Sequence, residues 1–129
     1  MQTTRELMSP HKNRSFPQRL RWALAGVRHA VRSEHSLKLQ LVIFSVVVIA
    51  LLVLRPSAAW WGLVLLASSG VISAELINTA VEHLADHLHP ALHPQIRIVK
   101  DCAAAAVLVA VLGALAVACA LAAHLLWRW

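Results

Sequence analysis

Three long apolar stretches divide the chain, and polar residues separate them. The stretches cover about residues 37–54, 58–80 and 103–127. A helix needs roughly 20 mostly apolar residues to cross a bilayer, with about 17 to 25 tolerated. The first stretch is at the short limit, and it includes Leu37 and the aliphatic stem of Lys38. The pattern therefore predicts three membrane-spanning helices.

A segment before the first span, about residues 15–33, has the pattern of an amphipathic surface helix. Apolar residues recur on one face of it, at Leu20, Leu24, Val27 and Val31. Basic residues recur on another face, at Arg21, Arg28 and Arg32. Such a helix lies in the membrane interface, with its arginines toward lipid phosphates. Residues 1–14 are predicted to be a disordered tail, and residues 15–129 a single membrane domain.

Composition supports an all-α membrane protein. Hydrophobic residues make up 59% of the 129 residues, and the mean hydropathy is +0.65, whereas an ordinary globular domain is about half apolar. The net charge of +6 lies mostly beside a membrane span, where anionic membrane lipids and topology account for it. The chain has no DNA-reading motif and no basic strand interleaved with aromatic residues, so no nucleic-acid partner is expected.

The basic residues predict the orientation of the spans. Eight of the 12 precede the first span, the next connection holds only Arg55, and the connection before the third span holds Arg97 and Lys100. By the positive-inside rule, the N-terminus and a loop at about residues 83–102 are cytoplasmic, and the C-terminus lies outside. Tryptophans then form a belt at the outer interface, at Trp60, Trp61, Trp127 and Trp129.

Polar residues interrupt the end of the second apolar stretch. At about 100° per residue, Glu75, Asn78, Glu82 and Asp86 share one narrow face of a helix. A carboxylate within a membrane span is costly and is a functional-site hypothesis by default, and repeated acidic groups suit a magnesium-phosphate site. The alternative is a structural polar seam, in which the carboxylates pair with Lys100 or Arg97.

Other polar groups also have ordinary interpretations. Glu34 could cap the helix that follows it, and Lys100 with Asp101 could anchor a span at the interface. A structural zinc site is disfavoured: the histidines near residues 83–93 lack an H-E-x-x-H pattern, and neither cysteine lies among them. The chain also has no G-x-x-x-x-G-K-[ST] loop and no protein-kinase motifs, so any use of ATP requires another architecture.

Several motifs together resemble one family. Gly26, Ser33-Glu34, the run E-L-I-N-T-A-V-E at 75–82, Asp86, His93 and the run V-K-D-C-A-A-A-A-V-L at 99–108 are similar to the small prokaryotic diacylglycerol kinases, a family that includes undecaprenol kinases. The similarity covers about residues 15–125. It implies a multi-pass enzyme of the bacterial inner membrane that phosphorylates a lipid hydroxyl from MgATP. It also implies a homotrimer with sites between subunits.

The resemblance implies a role for each matching residue. Glu75 would be the general base and Asn78 a positioning partner. Glu34 and Glu82 would bind Mg²⁺ and, through it, the nucleotide. The remaining nucleotide contacts would come from His93, Lys100, Asp101 and an N-terminal arginine, Arg14 or Arg19. The family's own arginine position aligns with Ser15, and an acidic loop position of some members is Ala91 here.

The identity of the lipid stays open at this level. Diacylglycerol and undecaprenol both present a primary hydroxyl on an apolar body. Diacylglycerol is the default for the family, and the H-P-x-I-x-x-V-K-D run is also similar to the undecaprenol-kinase branch. A small oligomeric channel or transporter with a protonatable Glu75 is a distant alternative.

Oligomerisation is also expected from geometry. Three helices in one chain leave the polar face of the second span poorly covered, and lipid cannot satisfy Glu75 or Asn78. Small residues of the third span, at 103–106 and 113–114, permit close approach between helices.

Overall fold

The computed structural model describes residues 15–89 and 93–127, which form four α-helices. Helix α1 is Phe16–Ser33, α2 is His35–Leu54, α3 is Ala58–Leu88 and α4 is Pro94–Leu126. Helices α2, α3 and α4 are each long and apolar enough to cross a membrane. The predicted all-α class is therefore confirmed, and the chain is a membrane protein. The predicted disordered tail lies outside the described residues.

Local sequence explains where the helices break. Glu34 alone separates α1 from α2, in an extended conformation with φ −104° and ψ 123°. At the end of α2, Arg55 takes the left-handed conformation common after a helix, and Pro56 cannot continue it. Helix α4 begins with Pro94, whose fixed φ and missing N–H suit a first helical position.

The two longest helices extend well past the apolar stretches. Helix α3 has 31 residues and α4 has 33, so at about 1.5 Å per residue they measure roughly 46 and 50 Å. The hydrocarbon core of a bilayer is only about 30 Å thick. The prediction of a loop over residues 83–102 was therefore wrong: α3 continues to Leu88, and α4 starts at Pro94. Most of the acidic and basic groups of this segment stand on rigid helical extensions.

Helix α3 is the centre of the bundle. It packs most extensively against α4, then against α2, and it also contacts α1. Within the most apolar 18-residue segment of each helix, 22% of the residues are buried in α3, 11% in α2 and 0% in α4. Most of the apolar surface of α2 and α4 is thus left for lipid or for other protein chains to cover.

The bundle has two unlike ends. The tryptophan end holds the small hydrophobic core, in which Leu51, Val64 and Leu121 are buried and Trp60 and Trp61 pack against them. The charged end is formed by α1, the start of α2, the end of α3 and the start of α4. An apolar groove of about 230 Å³ runs between α2, α3 and α4, and Gln40 is its α2 lining residue nearest the charged end.

Helix α1 forms where the sequence predicted it. Its apolar residues Phe16, Leu20 and Leu24 are exposed, whereas Ala30 is buried in the packing at the charged end. That exposure is what a helix lying on a membrane requires. Its placement in the interface stays a prediction.

Candidate active site at the charged end

Glu75 lies buried at the junction between α2 and α3. Only 5% of it is exposed. Its two carboxylate oxygens accept from two side chains of α2: the Oγ of Ser36 donates to Oε1, and the Nε2 of Gln40 donates to Oε2 over 3.2 Å. Both donors are uncharged. The structural alternative in which Glu75 pairs with Lys100 or Arg97 is therefore wrong for this carboxylate.

One turn further along α3, Asn78 binds a second carboxylate. Asn78 is 9% exposed, and its Nδ2 donates to Oε1 of the half-buried Glu82 over 3.0 Å. The predicted shared face of Glu75, Asn78 and Glu82 thus exists within one chain. Because the chain itself buries Glu75 and Asn78, the argument that subunits must associate to cover these two residues was wrong.

Three buried polar atoms around Glu75 have no hydrogen-bond partner among the described residues. They are Oε1 of Gln40, Oδ1 of Asn78 and Oγ1 of Thr79. Buried polar atoms are nearly always paired in native proteins, because leaving one unpaired costs free energy. Such a concentration beside a buried carboxylate indicates positions that a polar ligand or water can occupy.

Glu34 lies between α1 and α2 and faces α3. It occupies the predicted N-cap position of α2, but its side chain makes no capping hydrogen bond to that helix. Instead, Oε1 of Glu34 lies 3.7 Å from Nε2 of His83. The ring of His29 packs against His83 with centroids 5.3 Å apart. The contact with His83 brings Glu34 to the end of α3, beside the residue that follows Glu82 in the chain.

Lys100 and Asp101 lie just before the uninterrupted apolar part of α4. The Nζ of Lys100 donates to Oδ1 of Asp86 over 2.5 Å, which joins α4 to the end of α3. This hydrogen bond raises the pKa of the Lys100 ammonium above its ordinary value. Asp101 lies 3.8 Å from Nε of Arg97 one turn away, and both side chains are exposed. Because its pKa is raised, the Lys100 ammonium stays positively charged at neutral pH.

The other residues predicted to bind the nucleotide make few side-chain interactions in the described part of the chain. His93 caps the start of α4, because its Nδ1 accepts from the backbone N–H of Gln95 over 3.2 Å. Its ring lies 5.6 Å from that of His89, centroid to centroid. Arg19 is on an exposed part of α1. Arg14 and Ala91 lie outside the described residues.

The acidic residues suit a magnesium ion that arrives with phosphates. Within residues 15–89 and 93–127, no three His, Cys, Asp or Glu side chains come together as a ready metal site. Mg²⁺ does not require one, since it is usually held by one or two carboxylates together with substrate phosphates and water. Glu82, with the open Oδ1 of Asn78 beside it, meets that requirement.

Sequence reasoning missed four residues of this cluster. Ser36 and Gln40 bind Glu75, and Thr79 is buried one turn from it on α3. His83 contacts Glu34. A signal existed for two of them: Ser36 and Gln40 are polar residues four positions apart at the start of an apolar helix, which places them on one face. Which face of α3 they meet depended on the packing.

Comparison with known proteins adds the family. The family model for prokaryotic diacylglycerol kinase matches residues 21–122, most of the chain. The chain belongs to that family. The predicted family is thus confirmed, and its members are membrane kinases of prokaryotes. The match includes the whole of α2 and α3 and the start of α4, and therefore every element that builds the charged end except the first residues of α1. No curated protein matches the chain.

Proposed function

We propose that this kinase transfers the γ-phosphoryl group of MgATP to the primary hydroxyl of diacylglycerol, which gives phosphatidic acid. The family supports a lipid kinase, and the observation that carries the proposal is the buried Glu75, next to unpartnered polar atoms and one turn from Asn78 and Glu82. A buried carboxylate at the boundary of a membrane span suits a base that acts on a hydroxyl at headgroup level.

In the proposed reaction, Glu75 accepts the proton of the lipid hydroxyl as its oxygen attacks the γ-phosphorus. The bond between that phosphorus and the β,γ-bridging oxygen breaks, so ADP leaves and the proton passes from Glu75 to water. A carboxylate has about four lone-pair positions, and α2 uses two of those on Glu75. Positions therefore remain for the hydroxyl proton.

Glu34 and Glu82 are the proposed magnesium ligands, and Asn78 orients Glu82. When bound, the ion neutralises phosphate charge and aligns the transferred group, which is most of what phosphoryl transfer requires. Lys100, as a permanent cation, would bind phosphate oxygens by exchanging its contact with Asp86. Asp101, His93 and Arg14 or Arg19 are the remaining proposed nucleotide contacts.

We also propose a homotrimer in the inner membrane, with the charged end cytoplasmic. The large apolar surface that α2 and α4 leave uncovered supports association. The excess of basic residues before α2 supports the orientation. In this orientation ATP reaches the charged end directly.

The test is to give purified protein MgATP with diacylglycerol, with undecaprenol, and with neither, and then to identify the phosphorylated product. Phosphatidic acid formed faster than undecaprenyl phosphate supports the proposal. The reverse order identifies the undecaprenol-kinase activity. A channel or transporter predicts no phosphorylated lipid in any arm, and that outcome would refute the proposed reaction.

A further inference from the structure

Helix α2 holds both oxygens of the Glu75 carboxylate. Ser36 donates to Oε1 and Gln40 donates to Oε2. The two residues are four positions apart, so their side chains lie on one face of α2, one turn from each other. Side chains on a helix lean toward its N-terminus, and the longer Gln40 side chain can therefore reach back to the level of Ser36. One face of one helix thus binds a single carboxylate twice.

Two donors on different oxygens fix more than a position. A glutamate side chain has three rotatable bonds, and a single hydrogen bond leaves its carboxylate free to turn. Contacts to both oxygens also fix the plane of the group, and with it the direction of the remaining lone pairs. A general base works only when such a lone pair points at the proton that it removes.

Gln40 has a second feature. Its Nε2 binds Glu75, its Oε1 is buried without a partner in the described part of the chain, and the residue also lines the apolar groove between α2, α3 and α4. Its carboxamide therefore lies where the apolar interior of the bundle meets the polar cluster. An apolar residue of similar size would fill the same space without donating to Glu75.

We propose that Ser36 and Gln40 are positioning residues that orient Glu75 for proton removal, an inference that rests on the proposed function. They act through the carboxylate and are not themselves the base. The competing explanation is structural: the two hydrogen bonds merely satisfy a buried carboxylate and hold α2 against α3. The two explanations predict different values of kcat when a Ser36 or Gln40 substitution is combined with Glu75→Gln.

The kinetic test uses Ser36→Ala and Gln40→Leu, each in the wild-type and in the Glu75→Gln background. We expect each to lower kcat about 10- to 100-fold, because small misplacements of reacting groups cost this much, with the KM for MgATP unchanged. In the Glu75→Gln background neither should lower the residual rate further, since the carboxylate that they orient is gone. Ser36→Thr keeps the hydroxyl and should restore most of the rate.

The control is Ser45→Ala. Ser45 is also on α2, but its hydroxyl donates to the backbone oxygen of Leu41 in its own helix. This variant should keep the wild-type kcat. The positioning role would be overturned if Ser36→Ala and Gln40→Leu lowered kcat as much in the Glu75→Gln background as in the wild type. A fall in kcat for Ser45→Ala as large as that for Ser36→Ala would also overturn it.

A second measurement does not depend on activity. The infrared carboxylate band that disappears in Glu75→Gln should shift in Ser36→Ala and Gln40→Leu and stay in place in Ser45→Ala, because only the first two donors bind Glu75. An unshifted band in both variants overturns the inference even if the protein is an active kinase. If the band shifts in the two variants but the wild-type protein phosphorylates no lipid alcohol, the proposed function is overturned, and the catalytic role of the two donors with it.

Discussion

The two ends of the bundle are built from different interactions. At the tryptophan end, Leu51 and Val64 are buried in an apolar cluster with Leu121. At the charged end, α3 buries the polar residues Glu75, Asn78 and Thr79 as well as Ala85. Glu75 accepts hydrogen bonds from α2, and Asn78 donates one to Glu82. Among the described residues, the buried side-chain polar atoms that lack a partner are the three at the charged end.

This difference suggests that the tryptophan end contributes mainly to stability and the charged end mainly to the proposed function. Buried polar atoms without partners cost free energy, so a chain that keeps them at one end must be stabilised elsewhere or must bind a ligand there. The small apolar cluster at the tryptophan end, together with the long contact between α3 and α4, supplies that stability. Variants at the two ends should therefore change different measurements.

The largest effect is expected at the most buried carboxylate. Glu75→Gln keeps the size of the side chain but cannot accept the hydroxyl proton, so lipid phosphorylation should fall by about 10² to 10⁴. Thermal unfolding in detergent and the affinity for MgATP should stay near the wild-type values. Activity within about threefold of the wild type would contradict the base assignment.

Mixed oligomers show whether the charged end is completed by another subunit. Glu75→Gln and Glu82→Gln subunits, each impaired alone when assayed at limiting Mg²⁺, should recover part of the wild-type activity when they are co-assembled. Recovery is the result that sites between subunits predict, because an intact Glu75 of one subunit and an intact Glu82 of another can then serve the same site. Tagged pull-down confirms the mixing. Confirmed hybrids without activity would argue that each chain builds its own site, and a fully active monomer would refute the interface model.

Glu82→Gln alone should weaken the use of magnesium. A hard cation loses an anionic oxygen ligand, so the Mg²⁺ concentration for half-maximal rate should rise at least about tenfold. Glu34→Gln should act in the same direction. The KM for the lipid alcohol is the internal control, and it should not change. Unchanged magnesium dependence in both variants would leave these carboxylates with a structural role only.

At the tryptophan end, Leu51→Ala should lower stability and spare chemistry. Leu51 is 1% exposed, whereas its neighbour Leu52 is 59% exposed and provides the matched control variant Leu52→Ala. Truncating a buried leucine costs about 2 kcal/mol or more. Thermal unfolding should therefore shift clearly for Leu51→Ala and little for Leu52→Ala. A loss of kcat per folded Leu51→Ala molecule would show that the two ends are coupled.

The smallest effect is expected for Asp86→Asn. Asp86 raises the pKa of Lys100, so its removal should return that pKa toward the ordinary value, as NMR titration of the Lys100 ammonium can measure. A raised pKa contributes stability that is present at neutral pH and is lost as pH rises through the pKa. The wild type and the variant should therefore differ in pH dependence only in the alkaline range. A difference near pH 6 would implicate another group.

The sequence predicted most of the fold and the helix face that carries the candidate site. Hydrophobic runs located most of α2, α3 and α4, and helical spacing placed Glu75, Asn78 and Glu82 together. Local sequence could not predict that α3 and α4 continue past their apolar stretches, because polar residues are compatible with either a helix or a loop until tertiary contacts such as Lys100 with Asp86 select the helix.

By itself, the sequence determined the class of the protein, its family and the identity of the candidate base, because these depend on hydrophobic length, local motifs and the angular period of a helix. Only the tertiary structure decided what surrounds that base. The register between α2 and α3 brings Ser36 and Gln40 to the two oxygens of Glu75, and the packing of α3 places His83 beside Glu34. Contacts between residues more than thirty positions apart depend on how whole helices pack, and no local pattern specifies them.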